Sequence, residues 1–421
     1  MWLAWKLRGE LWTAGDTFRR SKIAPHFWNL FWATRIVVVA KQQVSDKWDE
    51  QVLQIGETVP MKKPTQHLVA EVPRSSSKVE MTIGIDLGDV WSHYCTLNQD
   101  GEVVDRGRFR TTPASVDKWF TDLPRTRIAM EAGAHSIWIS EQLQELGHEV
   151  LVANVRSLRA ISHSDRKSDQ ADAEKLARFA RMDPKILRPI SHRTIAQQEA
   201  LTLIRARNLL VRLRTAAVNA VRGLAKPCGY RLPASSTLCF AKRCVEVLPP
   251  GLVQALGPVL EQIASLTVKI KHYDRLVKQL TETDYIETQA LIKVYGVGDL
   301  TALTYVLTLG NKQRFKRSRD VGCYLGLRPR RSQSGDRDPQ LGITKAGNVY
   351  LRSLLVECGN HVLGPRGKDS TLRRWGLHLA ERGGKQSRNR AIVAVARKLA
   401  VLLHRIWVTQ EPYVPFYAEA A

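Results

Sequence analysis

The sequence predicts an α/β domain, then a pair of long helices, then a basic, mainly helical domain. Three observations support this order. Strand-like and helix-like segments alternate between Met81 and Met182, apolar residues then recur at helical spacing over two long runs, and positive charge concentrates behind them.

Residues 1–80 stand apart. They hold 6 of the 11 tryptophans, show no sustained periodicity and end in the linker-like Pro73-Arg-Ser-Ser-Ser-Lys78. They are expected to be a poorly ordered extension, with a functional start near Met81; a small accessory domain is the alternative. Lys6, Arg8 and Glu10 interrupt the apolar residues at the start, which argues against a secretory signal.

From Met81 the elements follow closely. Thr82 to Leu87 is a short apolar strand. Val90 to Leu97 and Glu102 to Arg110 read as strands around the turn residues Asn98 to Gly101. Residues 113–123 suit a helix with Pro113 in its first turn. Arg127 to Glu131 reads as a strand, Ser136 to Leu146 as a helix and Glu149 to Val155 as a strand. Asp169 to Met182 is a helix with Ala173, Leu176, Ala177 and Ala180 on one face. Three strands, a helix, a strand, a helix, a strand and a helix is the chain order of a ribonuclease-H-like fold, expected over 81–185.

Residues 193–292 read as long helices, Ile195 to Leu224 and Leu252 to Leu280, interrupted by a Pro- and Cys-containing stretch from Pro227 to Pro250. Paired helices of this kind serve packing or oligomerisation. A basic domain is expected over 293–408, with a tail over 409–421.

Charge narrows the class of partner. The chain of 421 residues carries 64 Lys+Arg and 40 Asp+Glu, a formal net charge of +24. Between Asn311 and Trp407 there are 22 basic and 6 acidic residues. A polyanion, most often nucleic acid, is the expected partner. No run reaches the roughly 18 apolar residues of a membrane span. The six cysteines, at 95, 228, 239, 244, 323 and 358, form no CxxC pair or zinc-finger set. They are expected to be reduced and mostly buried.

Within the α/β segment four carboxylates attract notice. Asp86 sits in an apolar strand, where an isolated charge is costly unless paired, and Glu131 repeats the device. Asp169 and Asp172 lie three apart, so they share one helical face. In a ribonuclease-H-like order these elements converge at one end of the sheet. Four carboxylates there could hold two divalent cations, Mg²⁺ or Mn²⁺, against the attacking and leaving oxygens of a phosphodiester. Taken singly, Asp169 and Asp172 could be ordinary first-turn acids, and Asp86 could belong to an actin-like or sugar-kinase phosphate motif. That kinase reading leaves the basic C-terminal segment unexplained.

In the basic domain, Val294 to Ala302, with Gly296 and Gly298, reads as a helix-hairpin-helix turn or a plain interhelical turn. Ser334 precedes Gly335 among Arg328, Arg330, Arg331 and Arg337. Those arginines could offset charge on a phosphoryl group as a hydroxyl attacks it. Lys345 and Arg352 flank the start of a further helix and suit phosphate contacts.

From Met81 to about Phe416 the chain resembles the DEDD-type transposases of bacterial insertion sequences, the bridge-RNA-guided recombinases. The resemblance rests on Gly-Ile-Asp86, Met-Glu131-Ala-Gly, the box Lys167-Ser-Asp-Gln-Ala-Asp-Ala-Glu-Lys-Leu-Ala177, and the series Gly326-Leu-x-Pro, Ser334-Gly, Ile-x-Lys345-x-Gly, Leu-Arg352. It implies a RuvC-like, Mg²⁺-binding site at Asp86, Glu131, Asp169 and Asp172, and Ser334 as the nucleophile that joins covalently to a strand end. It also implies a homo-oligomer, dimer or tetramer, with carboxylates and serine from different subunits. DNA and a structured non-coding guide RNA from the element are the implied partners, with Lys167, Arg328, Arg330, Arg331, Arg337, Lys345 and Arg352 as nucleic-acid contacts. The implied setting is the bacterial cytoplasm, at the nucleoid. A non-catalytic nucleic-acid-binding protein is the remaining rival, and a resolvase with no serine step is the nearest variant.

Overall fold

The computed structural model describes residues 81–154 and 168–416, except 338, 340 and 385. The expected N-terminal extension, Lys167 and the last five residues lie outside the described residues.

Strands β1 (Thr82–Asp86), β2 (Trp91–Leu97), β3 (Val103–Arg110), β4 (Arg127–Glu131) and β5 (Glu149–Ala153) form a mixed five-stranded sheet in the order β3-β2-β1-β4-β5. β1, β2 and β3 pair antiparallel, and β4 and β5 continue from β1 in parallel. The hairpin between β2 and β3 is held by Asn98, whose Oδ1 accepts from the amides of Asp100 (3.0 Å) and Glu102 (2.9 Å). A side-chain oxygen doing the work of a backbone carbonyl is why Asn is favoured there.

Two helices connect the strands: α1 (Pro113–Phe120), capped by Thr112, and α2 (Ser136–Glu145). Ile83, Ile85, Ile128 and Met130 of the central strands bury against Phe109, Val116, Phe120, Ile139 and Leu143 on this side. Helix α3 (Asp169–Met182) packs on β1, β2 and β4 and buries the predicted face, Ala173, Leu176, Ala177 and Ala180. Ser168 caps it, its hydroxyl accepting from the Ala171 amide at 3.2 Å.

The long helices α4 (Ile195–Ala225) and α6 (Pro250–Thr283) pair with each other antiparallel. Arg207 of α4 meets Asp274 of α6 at 2.6 Å, and Val218 and Val221 pack with Leu256, Leu260 and Ile263. Between them, inside the stretch read as an interruption, α5 (Phe240–Val247) buries Phe240 and Cys244 in the same cluster.

The basic segment is helical: α7 (Thr288–Ile292), α8 (Asp299–Leu309), α9 (Arg319–Tyr324), α10 (Val349–Leu363), α11 (Thr371–Glu381) and α12 (Ser387–Thr409). Helix α8 is buried from Thr301 to Leu309 on every side, and α12 supplies Val395, Ala396, Leu399 and Leu403 to the same core. The Gly296–Gly298 turn does join two helices, α7 and α8. Of the cysteines, three are buried (Cys95, Cys244, Cys358) and three exposed (Cys228, Cys239, Cys323), so the expectation of mostly buried thiols is corrected. Cys228 and Cys239 lie in the segment joining the long helices, and Cys323 on the outer face of a short helix, where no core covers them. Among the described residues no helix is long and apolar enough to cross a membrane.

Candidate active site

The geometry of the carboxylates starts from the parallel pair β1 and β4. Ile85 lies opposite Met130, so the next residues, Asp86 and Glu131, end their strands at the same end of the sheet. Helix α3 runs back across β1 in the opposite sense. Its middle, at Ala173 and Ala177, lies over Gly84, and further along Arg178 Nη1 donates to the Gly101 carbonyl at 3.3 Å, beside the other end of the sheet. The first turn of α3, with Asp169 and Asp172, therefore stands above the end that carries Asp86. The close approach depends on Gly84. A Cβ there would overlap the Ala173 carbonyl oxygen and lie 2.5 Å from the Ala177 nitrogen.

Two further residues enter this end of the sheet. His93 is the β2 partner of Asp86, and its Nδ1 lies 3.6 Å from Asp169 Oδ2. Lys175 Nζ donates to Asp172 Oδ1 at 2.8 Å. The Asp172–Lys175 spacing of three is a legible ion-pair signal, whereas His93 becomes visible only once β1 and β2 are paired in register. The topology thus delivers all four predicted acids to one end of the sheet. It does not gather their side chains: among the described residues no three acid, His or Cys groups are poised around one point. The donors themselves are carboxylate oxygens, which suit a hard divalent cation, and the Asp169 side chain is 68% exposed.

Ser334 is built on a different core. Backbone contacts tie 328–330 to 342–344, with Pro329 bridged to Ile343, Arg330 N donating to Gly342 O (3.0 Å) and Thr344 N to Arg328 O (2.9 Å); these segments and the Ser334 turn they carry form an arm. Ser334 and Arg337 exchange backbone hydrogen bonds, each 3.1 Å, around the tight turn Gly335-Asp336. The serine, Arg328, Arg330, Arg331 and Arg337 are all exposed. One chain therefore groups Ser334 with its arginines and holds the acids on a separate sheet.

The base of the arm explains part of the glycine-rich motif. A Cβ on Gly326 would overlap the backbone of Ala346, and one on Gly347 would overlap the Tyr324 carbonyl. The two segments pack main chain to main chain. Arg352, expected to meet nucleic acid, belongs to this scaffold instead. It is 8% exposed, and its Nη1 donates to the carbonyls of Ala346 (2.6 Å) and Leu325 (3.0 Å). Lys345 remains exposed, in the left-handed region at φ 57°.

Comparison with known proteins follows the same division. Residues 83–227 match the transposase family of the DEDD IS110 type, and residues 288–374 match the transposase family IS116/IS110/IS902. The transposase for insertion sequence element IS1328 of Yersinia enterocolitica is 31% identical over 286 residues, 66% of this chain and 82% of the relative. The chain belongs to the IS110 transposase family. The transposase for insertion sequence element IS1111A of Coxiella burnetii is 29% identical over 359 residues, 81% of this chain and 93% of that protein. The first IS110-family match contains the sheet, α3 and all four acids; the second contains Ser334 and the arm.

Proposed function

We propose that this IS110-family chain is a transposase that breaks and rejoins DNA strands, with divalent cations held at Asp86, Glu131, Asp169 and Asp172 and with Ser334 as the nucleophile. The observation that carries the reading is the antiparallel placement of α3 over β1, which sets Asp169 and Asp172 at the end of the sheet that holds Asp86 and Glu131. The strand order β3-β2-β1-β4-β5, with its mixed pairing, supports a ribonuclease-H-like, RuvC-like domain.

A bound Mg²⁺ or Mn²⁺ would supply Lewis-acid stabilisation to phosphodiester oxygens. The carboxylates would hold it; Lys175 and His93 steady Asp172 and Asp169 beforehand. Ser334 Oγ forms a bond to phosphorus as the P–O bond to the departing nucleotide breaks, and the proton that the serine gives up ends on the departing oxygen. Arg328, Arg330, Arg331 and Arg337 offset the charge on the non-bridging oxygens. Because acids and serine stand on separate cores, the reading includes a homo-oligomer in which one subunit's arm meets another subunit's sheet. A structured RNA from the element would choose the sites, and the reaction would take place on DNA in the bacterial cytoplasm.

The test is a denaturing gel of labelled DNA after incubation with the full chain, the element RNA and Mg²⁺. The wild type should give a covalent protein–DNA band that both Asp86→Asn and Ser334→Ala abolish. Cleavage that survives Ser334→Ala would replace this reading with a metal-dependent resolvase.

A further inference from the structure

Beside the arm lies a groove of about 1550 Å³ whose chemistry differs from that of the acidic end of the sheet. One wall is α12. Arg390, Ala394, Arg397, Val401 and Arg405 recur every three or four residues, so they share a face, and all five line the groove. The three arginines are exposed, and from the first to the last they span about 22 Å at the helical rise. The floor is apolar: Trp375, Val393, Leu402 and Ile343 are partly buried there. Lys398 Nζ sits 3.6 Å from the centre of the Trp375 ring. The segment after α12 also lines the groove, and there Glu411 pairs with Arg405 at 3.3 Å. Among the described lining residues seven are cationic, and Glu411 is the one carboxylate.

This combination selects its occupant. The volume exceeds the roughly 300–1,000 Å³ of a small-molecule pocket. A duplex presents phosphates outward and keeps its bases stacked inside, so it would leave the apolar floor unused. An acidic peptide would satisfy the arginines but has no flat apolar groups to lay on Trp375. An unpaired strand offers both, phosphates to the α12 arginines and base faces to the floor. Arg328 and Arg330 belong to the arm and to the groove at once, so the lining is continuous with the segment that carries Ser334.

We propose that this groove holds a single strand of DNA leading away from the arm. The inference rests on the reading of the arm as the place where DNA is cut.

The test is fluorescence anisotropy of the full chain in EDTA with a labelled oligodeoxynucleotide of about 12 nucleotides, within the site sizes of single-strand grooves, with its blunt duplex, and with RNA of the same sequence. The single strand should bind about 10-fold or more tighter than the duplex, and RNA no tighter than DNA. The double variant Arg390→Gln/Arg397→Gln should weaken strand binding and lower the magnitude of the log–log salt slope by about 1.4, two phosphates at roughly 0.7 each. Trp375→Leu should weaken it about 5- to 100-fold and leave the slope unchanged. Circular dichroism and thermal midpoints report whether each variant folds; the exposed arginines keep the test decisive if Trp375→Leu does not. Duplex bound as tightly as the strand, RNA preferred over DNA, or an unchanged slope in the double variant would overturn the proposal. Metal-free binding and the covalent gel band are independent: lost groove binding with an intact band removes the groove alone, and intact binding with no band removes the serine alone.

Discussion

Gly84 and Ala173 meet main chain to main chain: the strand residue has no side chain because the helix carbonyl occupies that space. This contact sets the height of α3 above β1, and with it the separation of Asp169 and Asp172 from Asp86.

Gly84→Ala should therefore push α3 away from the sheet. We expect a loss of roughly 1–3 kcal/mol in urea unfolding, typical of an overpacked core, together with a fall in metal-dependent cleavage. An unchanged midpoint would mean that the helix sits more loosely than the contact implies.

Asp172→Asn keeps the shape of the side chain and removes its charge. Metal affinity should fall at least about 10-fold, and cleavage should be lost, while the circular dichroism spectrum stays unchanged. Titration with Mn²⁺ measures the first effect, and wild-type affinity would remove Asp172 from the metal set.

Arg352→Met should act on stability. It leaves the Ala346 and Leu325 carbonyls without their shared donor, at a cost of roughly 1–3 kcal/mol for each group left unsatisfied. Thermal unfolding is the measurement. Retained stability with a shallower salt dependence of nucleic-acid binding would restore Arg352 as a phosphate contact.

His404 makes stability depend on pH. It is buried, with Nε2 donating to the Lys312 carbonyl (2.9 Å) and Nδ1 accepting from the Ser318 hydroxyl (3.0 Å). Burial holds its pKa below the ordinary 6.5. The unfolded chain then takes up a proton that the folded chain refuses, so stability is full above about pH 6.5 and falls as pH drops below it. His192, also lowered by burial, adds to the same window. In His404→Gln the decline of the thermal midpoint between about pH 6.5 and 5 should be shallower; an equal slope would assign the effect elsewhere.

The sheet was legible because its strands are short apolar runs bounded by turn residues, and β4 and α3 begin and end where the pattern places them. Helix α5 was hidden by its surroundings: two turns between prolines carry too few apolar positions to show a period. The arm was hidden for another reason. Backbone bonds hold it, and no alternation of apolar side chains marks its segments. Arg352 shows the limit of reading charge from a sequence, since a guanidinium facing a phosphate and one facing two carbonyls are the same letter. That the four acids share one end of the sheet follows from strand order and the run of α3, but the groups that engage Asp169 and Asp172, His93 and Lys175, depend on register and rotamer.

The grip of Arg352 on the two roots of the arm also braces the place from which Ser334 is presented. Its guanidinium ties Leu325 on one side to Ala346 on the other, and the bonds from Thr344 N to Arg328 O and from Arg330 N to Gly342 O carry that pairing outward. A buried cation thus serves as the keystone beneath an exposed serine.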